Sequence, residues 1–191
     1  MRTAGLVLAA GSGSRFGQPK APVLVGGERL VDRAVRVLRR AGADPVLVVL
    51  GAWQGEVPDA VVVTNPDWAT GMGSSLRAGL AALQDPAYQD VTAVLITLVD
   101  LPGLTTEAVR RIIACDGDLV VATYQGERGH PVKFARSHWM GIQAAAHGDA
   151  GARDYLKGRT DLALIEVGDL ASGVDLDRPQ DLPGMTDRMD P

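Results

Sequence analysis

The chain has a single cysteine, Cys115, in 191 residues. One thiol excludes an intramolecular disulfide and a cysteine-built zinc site. Aromatic residues are 4% of the sequence, too few for the stacked rings that bind single-stranded nucleic acid. An excess of positive charge is also lacking. The formal net charge is −4, which argues against non-specific nucleic-acid binding. No run of 18 apolar residues is present, so no transmembrane helix is expected. The first apolar segment is too short for the core of a signal peptide. A soluble, cytoplasmic protein with no nucleic-acid or membrane partner is the expectation. Hydrophobic residues at 46% and charged residues at 22% are ordinary for a globular chain. The length suits one domain with a substantial core, placed at residues 1–183, with a polar tail over 184–191. Cys115 is read as a small core residue on an apolar helix face.

What is present is concentrated at the front of the chain. The apolar residues 5–10 run directly into Gly11-Ser12-Gly13-Ser14-Arg15-Phe16-Gly17-Gln18-Pro19-Lys20. Glycines at a strand end let backbone N–H groups approach a ligand with no side chain intervening. Arg15 and Lys20 bracket the loop with fixed positive charge, and together these features read as a polyphosphate cradle. The spacing differs from commoner nucleotide loops. In the P-loop a lysine directly follows the second glycine, whereas Gln18 and Pro19 follow Gly17 here. The dinucleotide loop is G-x-G-x-x-G opening a helix. Gly11, Gly13 and Gly17 are spaced one residue longer, and Pro19 resists continuation of a helix from Ser14. No acidic residue ends the second apolar run, residues 45–51.

Apolar runs then alternate with helical periods. Strands are predicted over residues 3–10, 46–50, 60–63, 91–99, 119–123 and 162–167, with 131–134 a further candidate. Val31, Ala34, Val35 and Leu38 mark one helix face, ended by Gly42. Residues 72–83 form a second helix with Leu76, Leu80 and Leu83 on one side. Val109, Ile112 and Ile113 mark a third, capped by Thr105 or Thr106. Asp149 is read as the N-cap of a helix carrying Ala152, Tyr155 and Leu156. Fully apolar strands separated by helices specify an α/β fold of three layers, with a mostly parallel central sheet covered on both faces. Such sheets bind ligands beyond the carboxyl ends of their strands, where the glycine loop and Asp100 both fall.

Asp100-Leu101-Pro102 ends the long apolar run at residues 94–99. Its carboxylate suits a divalent cation, which is commonly held by one or two carboxylates plus phosphate oxygens; capping of the next turn is the plainer alternative. Asp175 and Asp177 alternate onto one side of an extended stretch, and either would complete a metal site. Gly71-Met72-Gly73-Ser74-Ser75 opens the second helix. Small residues there offer N–H groups and hydroxyls to a base, ribose or anion, or Ser74 simply caps the helix. Arg128-Gly129-His130-Pro131 has the look of a substrate loop.

These segments, in this order, resemble the MobA-like nucleotidyltransferases, and most closely the molybdenum cofactor cytidylyltransferases. Residues 8–20 are similar to the signature L-A-A-G-x-S-x-R-[MF]-G-x-P-K, with Gly13 where many members have another residue. Asn65 to Leu76 is similar to N-x-x-W-x-x-G-M-x-x-S-L, and Asp100-Leu101-Pro102 to D-[MLQ]-P. Gly126 to Pro131, Gly148 to Arg153 and Asp175 to Leu182 resemble G-x-x-G-H-P, G-D-x-G-A-R and D-I-D-T-P-E-D-L, with Arg178 and Gln180 departing from the last. The resemblance implies a Rossmann-like nucleotidyltransferase fold, a nucleoside triphosphate, Mg²⁺ and pyrophosphate release. It implies that Arg15, Lys20 and Asp100 are catalytic. Leu8, Ala9, Ala10, Gly11, Gly13, Ser14, Arg15, Lys20, Ser74 and Ser75 bind nucleotide. His130 and Arg153 lie on the acceptor side, and Asp100 and Asp177 hold the metal. Ala9-Ala10-Gly11 resembles the CTP-using branch. The implied reaction transfers CMP from CTP to the phosphate of molybdopterin, with a molybdoenzyme or its chaperone as receiver. Another phosphorylated acceptor is the alternative, as is NAD(P)H-dependent reduction of a small aromatic substrate, since relatives of this type include such reductases. Gly26-Gly27 falls where the acceptor loop closes.

Overall fold

The predicted apolar runs become the strands of one seven-stranded sheet in a computed structural model that describes residues 2–182. Residue 183 and the tail expected from 184 lie outside the described residues. The elements are β1 (Arg2–Leu8), the short hairpin β2 (Leu24–Val25) and β3 (Glu28–Arg29), α1 (Leu30–Arg40), β4 (Val46–Leu50), β5 (Val61–Thr64), α2 (Met72–Ala82), β6 (Val91–Leu98), α3 (Thr106–Ala114), β7 (Leu119–Tyr124), β8 (Glu127–Ala135), α4 (Trp139–Ala145), α5 (Arg153–Leu156) and β9 (Ala163–Glu166). The sheet order is β5-β4-β1-β6-β8-β7-β9. Neighbours pair in parallel except around β8, which is antiparallel to both β6 and β7.

Period-two alternation explains why the central strands are apolar throughout. Val7, Val46, Val48, Leu50 and Leu95 face one core, beneath α1 and α3. Leu6, Leu8, Leu47, Val49 and Ile96 face the other, beneath α2 and α4. Each such side chain, fully buried, contributes about 1.5–3 kcal/mol. α1 buries Val31, Val35 and Leu38, with Asp32 in its first turn and Arg39 and Arg40 in its last, each favourable to the helix dipole. Thr105 caps α3 by accepting from the Ala108 N–H. Among the described residues no helix is long and apolar enough to cross a membrane.

Four expectations change. The candidate strand at 131–134 is the longer β8, and it runs against its neighbours. Cys115 ends α3, half-buried against the core rather than on the helix face. Gly26-Gly27 forms the two-residue turn of the β2–β3 hairpin, with φ of 61° and 85°. Primed turns of this kind need positive φ at both residues, and neither glycine lines a cavity near the loop. Asp149 does not cap α5, whose N-cap is Ala152.

Glu166 fastens the β7–β8 turn. Its carboxylate accepts hydrogen bonds from the N–H groups of Gln125, Gly126 and Gly168 and from the Thr123 hydroxyl, at 2.8–3.1 Å. The backbone donors, Gln125 first, hold its pKa well below the ordinary 4.5, at about 2. The stabilisation is therefore complete above the ordinary value and is lost as pH falls towards the folded one. Glu166→Gln is expected to lower the melting temperature at neutral pH and to flatten the acid limb between pH 4.5 and about 2. Thermal melts of both proteins across that range check this.

Candidate active site

Three chain segments converge at the carboxyl end of the sheet. β1 delivers the glycine loop, β6 delivers Asp100, and residues 175–177 are drawn in by a hydrogen bond from Leu176 N–H to Asp100 O at 2.8 Å. Leu176 is buried, and Asp177 beside it faces the loop, within reach of Arg15 and Lys20. Asp177 lines the loop cavity, and Asp175 lines a neighbouring one.

The loop holds its shape through its own backbone. Gly17 N–H donates to Gly13 O at 2.7 Å. Gly13 has φ of +63°, and a Cβ there would lie 1.9 Å from the Gln18 carbonyl oxygen. Only glycine closes the turn without moving the chain. The loop surrounds a cavity of about 490 Å³. Leu8, Ala9, Ala10, Gly11, Gly13, Ser14, Arg15, Lys20, Ser75, Asp100 and Asp177 all line it.

Lys20 is the centre of its electrostatics. The ammonium donates to Asp100 Oδ2 at 2.8 Å and to Asp177 Oδ1 at 3.1 Å. Burial alone would lower the lysine pKa, but the hydrogen bonds and charges of Asp100 and Asp177 outweigh it and hold the pKa above the ordinary range. Lys20 in turn holds the Asp177 carboxyl below its usual value. Arg15 reaches Asp177 at 3.5 Å and is otherwise exposed. Burial pushes the Asp175 carboxyl up, and the like charges of Asp100 and Asp177 add to this. Asp100 Oδ1 is buried and accepts no hydrogen bond.

A second cavity of about 760 Å³ adjoins the first and shares Leu8, Met72, Leu98 and Asp149 with it. Its floor is apolar, from Ile96, Val121, Val132 and Phe134 of β6, β7 and β8. His130 and Arg153 line it, together with Arg128 and Lys157. Burial lowers the His130 pKa, more than Ile96 O and Asp100 raise it, so the imidazole is neutral at pH 7. Its Nδ1 lies 3.3 Å from Ile96 O.

The Gly71–Ser75 segment is divided: Gly71, Met72 and Ser75 line the loop cavity, and Gly73 and Ser74 are tied up in internal hydrogen bonds. Gly73 N–H donates to Gly148 O at 2.8 Å, so it is not free for a ligand. Ser74 donates to Gly71 O and Asp67 O and accepts from Asn65 Nδ2, which also reaches Ser75. Ser74 is buried in this network and does not line either cavity. Gly71 has φ of +110°, and a Cβ there would meet Gly148 backbone at 2.5 Å. Backbone thus packs on backbone beside the loop cavity, which Gly71 lines. Gly71→Ala is expected to cost about 1–3 kcal/mol in strain and to lower the melting temperature by several degrees, as calorimetry would read.

Asn65, Met72, Asp149, Arg128 and Lys157 were not singled out as site residues by sequence reasoning. Arg128 and Asp149 stand inside segments that drew attention for their neighbours, and Lys157 carries no local signal.

A profile of the MobA-like NTP transferase domain matches residues 5–164. The chain is 34% identical to the nicotine blue oxidoreductase of Paenarthrobacter nicotinovorans over 190 residues, 91% of each protein. It is 38% identical to a probable molybdenum cofactor guanylyltransferase of Opitutus terrae over 102 residues, 53% of this chain and 49% of that protein. The crystal structure of Rv0371c from Mycobacterium tuberculosis is similar at a TM-score of 0.75 and 28% identity, covering 93% of each chain. A manganese complex of Rv0371c is similar at a TM-score of 0.67 and 28% identity, over 87% of this chain and 89% of that one. With its ordered motifs, its sheet and a profile match over most of its length, the chain belongs to the MobA-like NTP transferase domain family.

Proposed function

We propose that the chain is a metal-dependent nucleotidyltransferase that moves CMP from CTP to the phosphate of a molybdopterin acceptor and releases pyrophosphate. The observation that carries this is Lys20, held between Asp100 and Asp177 in the wall of the loop cavity. Backbone N–H groups, Arg15 and Lys20 suit the triphosphate. The apolar floor and the His130 and Arg153 edge of the larger cavity suit a flat ring system with a charged end.

The donors also fit a divalent ion. All are carboxylate oxygens, as Mg²⁺ or Mn²⁺ prefers, and Asp100 Oδ1 is buried with an unused lone pair. Among the described residues no three His, Cys, Asp or Glu side chains converge as a metal site, so Asp100 and Asp177 would supply two carboxylates, and phosphate oxygens and water the rest. Mg²⁺ bound there would neutralise the charge that builds on the phosphates. Lys20 and Arg15 stabilise the leaving pyrophosphate as an acceptor phosphate oxygen bonds to the α-phosphorus and the α–β bridge breaks. The acceptor is already anionic, so no general base is required. Ala9-Ala10-Gly11 supports CTP as donor.

A second reading has its own support, the 34% identity with nicotine blue oxidoreductase over nearly the whole chain. It places NAD(P)H in the same cavities and hydride transfer to a small aromatic substrate. Thermal stabilisation separates the two, because a ligand that binds only the folded state raises stability by RT ln(1 + [L]/Kd). A shift with CTP that needs Mg²⁺ supports the transferase. A shift with NADPH alone, indifferent to Mg²⁺, rejects it.

A further inference from the structure

The carboxylates suited to a divalent ion are already engaged by a cation of the chain itself. One ammonium touches both Asp100 and Asp177, at 2.8 and 3.1 Å. It is well shielded, since the Lys20 side chain is 13% exposed and that of Asp100 19%. Arg15 is a weaker competitor, 3.5 Å from Asp177 and 77% exposed, where solvent and salt screen it.

We infer that Lys20 is a tethered stand-in for the metal in the nucleotide-free protein, and that it couples metal binding to nucleotide binding. This rests on the metal reading above. A bare divalent ion must displace the ammonium, which its tether keeps at high local concentration. A nucleotide changes the balance by offering Lys20 a phosphate partner in the same cavity. Once the lysine turns to phosphate, Asp100 and Asp177 stand together with no ammonium between them, and their mutual repulsion favours a doubly charged ion. Asp100 Oδ1 has no partner at any stage of this exchange, so the incoming ion gains an oxygen that Lys20 never used. Linkage makes the effect reciprocal: the factor by which nucleotide tightens metal is the factor by which metal tightens nucleotide. Metal and nucleotide therefore enter as one complex.

The test is Mn²⁺ binding to the nucleotide-free protein, followed by loss of the free-ion EPR signal. Lys20→Met should bind one Mn²⁺ at least about tenfold more tightly than the unaltered protein, since a close opposing charge has been removed. Lys20→Arg keeps the charge and should stay weak, and it guards against a purely steric effect or misfolding. Adding Asp100→Asn to Lys20→Met should cancel the gain. If Lys20→Met binds no tighter, or Lys20→Arg gains equally, while Asp100→Asn still weakens binding, the stand-in role is overturned and the metal site survives. If no variant shows Mn²⁺ binding that depends on Asp100, the metal reading falls and takes the stand-in role with it.

Discussion

Lys20→Met is expected to lower kcat/KM for CTP-dependent pyrophosphate release about 10²–10³-fold, the usual cost of removing one preorganised electrostatic donor. The geometry gives the reason. Lys20 lines the loop cavity, between two carboxylates on distant segments, so its ammonium is already in the compartment that suits the phosphates. Methionine keeps the length and loses the charge. The loss should fall more on kcat than on KM, because charge on the leaving pyrophosphate grows as the α–β bridge breaks. Steady-state rates over a range of CTP concentrations measure this. Rates within a few-fold of the unaltered protein would remove Lys20 from the chemistry.

Asp100→Asn should cost about as much, by a different route. The side chain keeps its shape and its place after β6, but one oxygen becomes an amide NH2 and the charge that suits a divalent ion is lost. Lewis-acid stabilisation of a phosphoryl group is worth several kcal/mol, and each 1.36 kcal/mol is tenfold in rate. A fall of about 10³-fold at fixed Mg²⁺ follows, with part of the rate returning at higher Mg²⁺. A Mg²⁺ titration of both proteins reads this directly. Retention of full activity would assign Asp100 to turn capping. The reductase reading predicts the opposite pattern, with NADPH turnover in Asp100→Asn unchanged and independent of Mg²⁺.

Much of the fold was legible because the central strands are buried on both faces and read as unbroken apolar runs, as in residues 46–50 and 94–99. Strand direction was not. β8 begins with Glu127, Arg128, Gly129 and His130, which have no apolar pattern, and its reversal depends on the tight turn at Gln125-Gly126. Glutamine at φ of 53° is not a usual turn signal. The glycine loop and Asp100 were legible from their place at strand ends. Their joining through Lys20 was not, since those contacts span 80 and 157 residues of sequence. Ser74 was legible only as a hydroxyl at a helix start, for a ligand or a cap; its bond from Asn65, nine residues earlier, was not. Gly73 gives its N–H to Gly148, far along the chain, and this too had no local signal, whereas Gly71 lines the loop cavity.

The loop cavity and its larger neighbour meet at Leu8, Met72, Leu98 and Asp149. Side chains on the β6, β7 and β8 floor line only the larger compartment, apart from Leu98 at the boundary. Exchanging Val121, Val132 or Phe134 therefore remodels one chamber and leaves the neighbouring loop untouched. One chamber can change its lining while the other stays fixed. Divergence in what the second chamber accepts can proceed without rebuilding the first twenty residues.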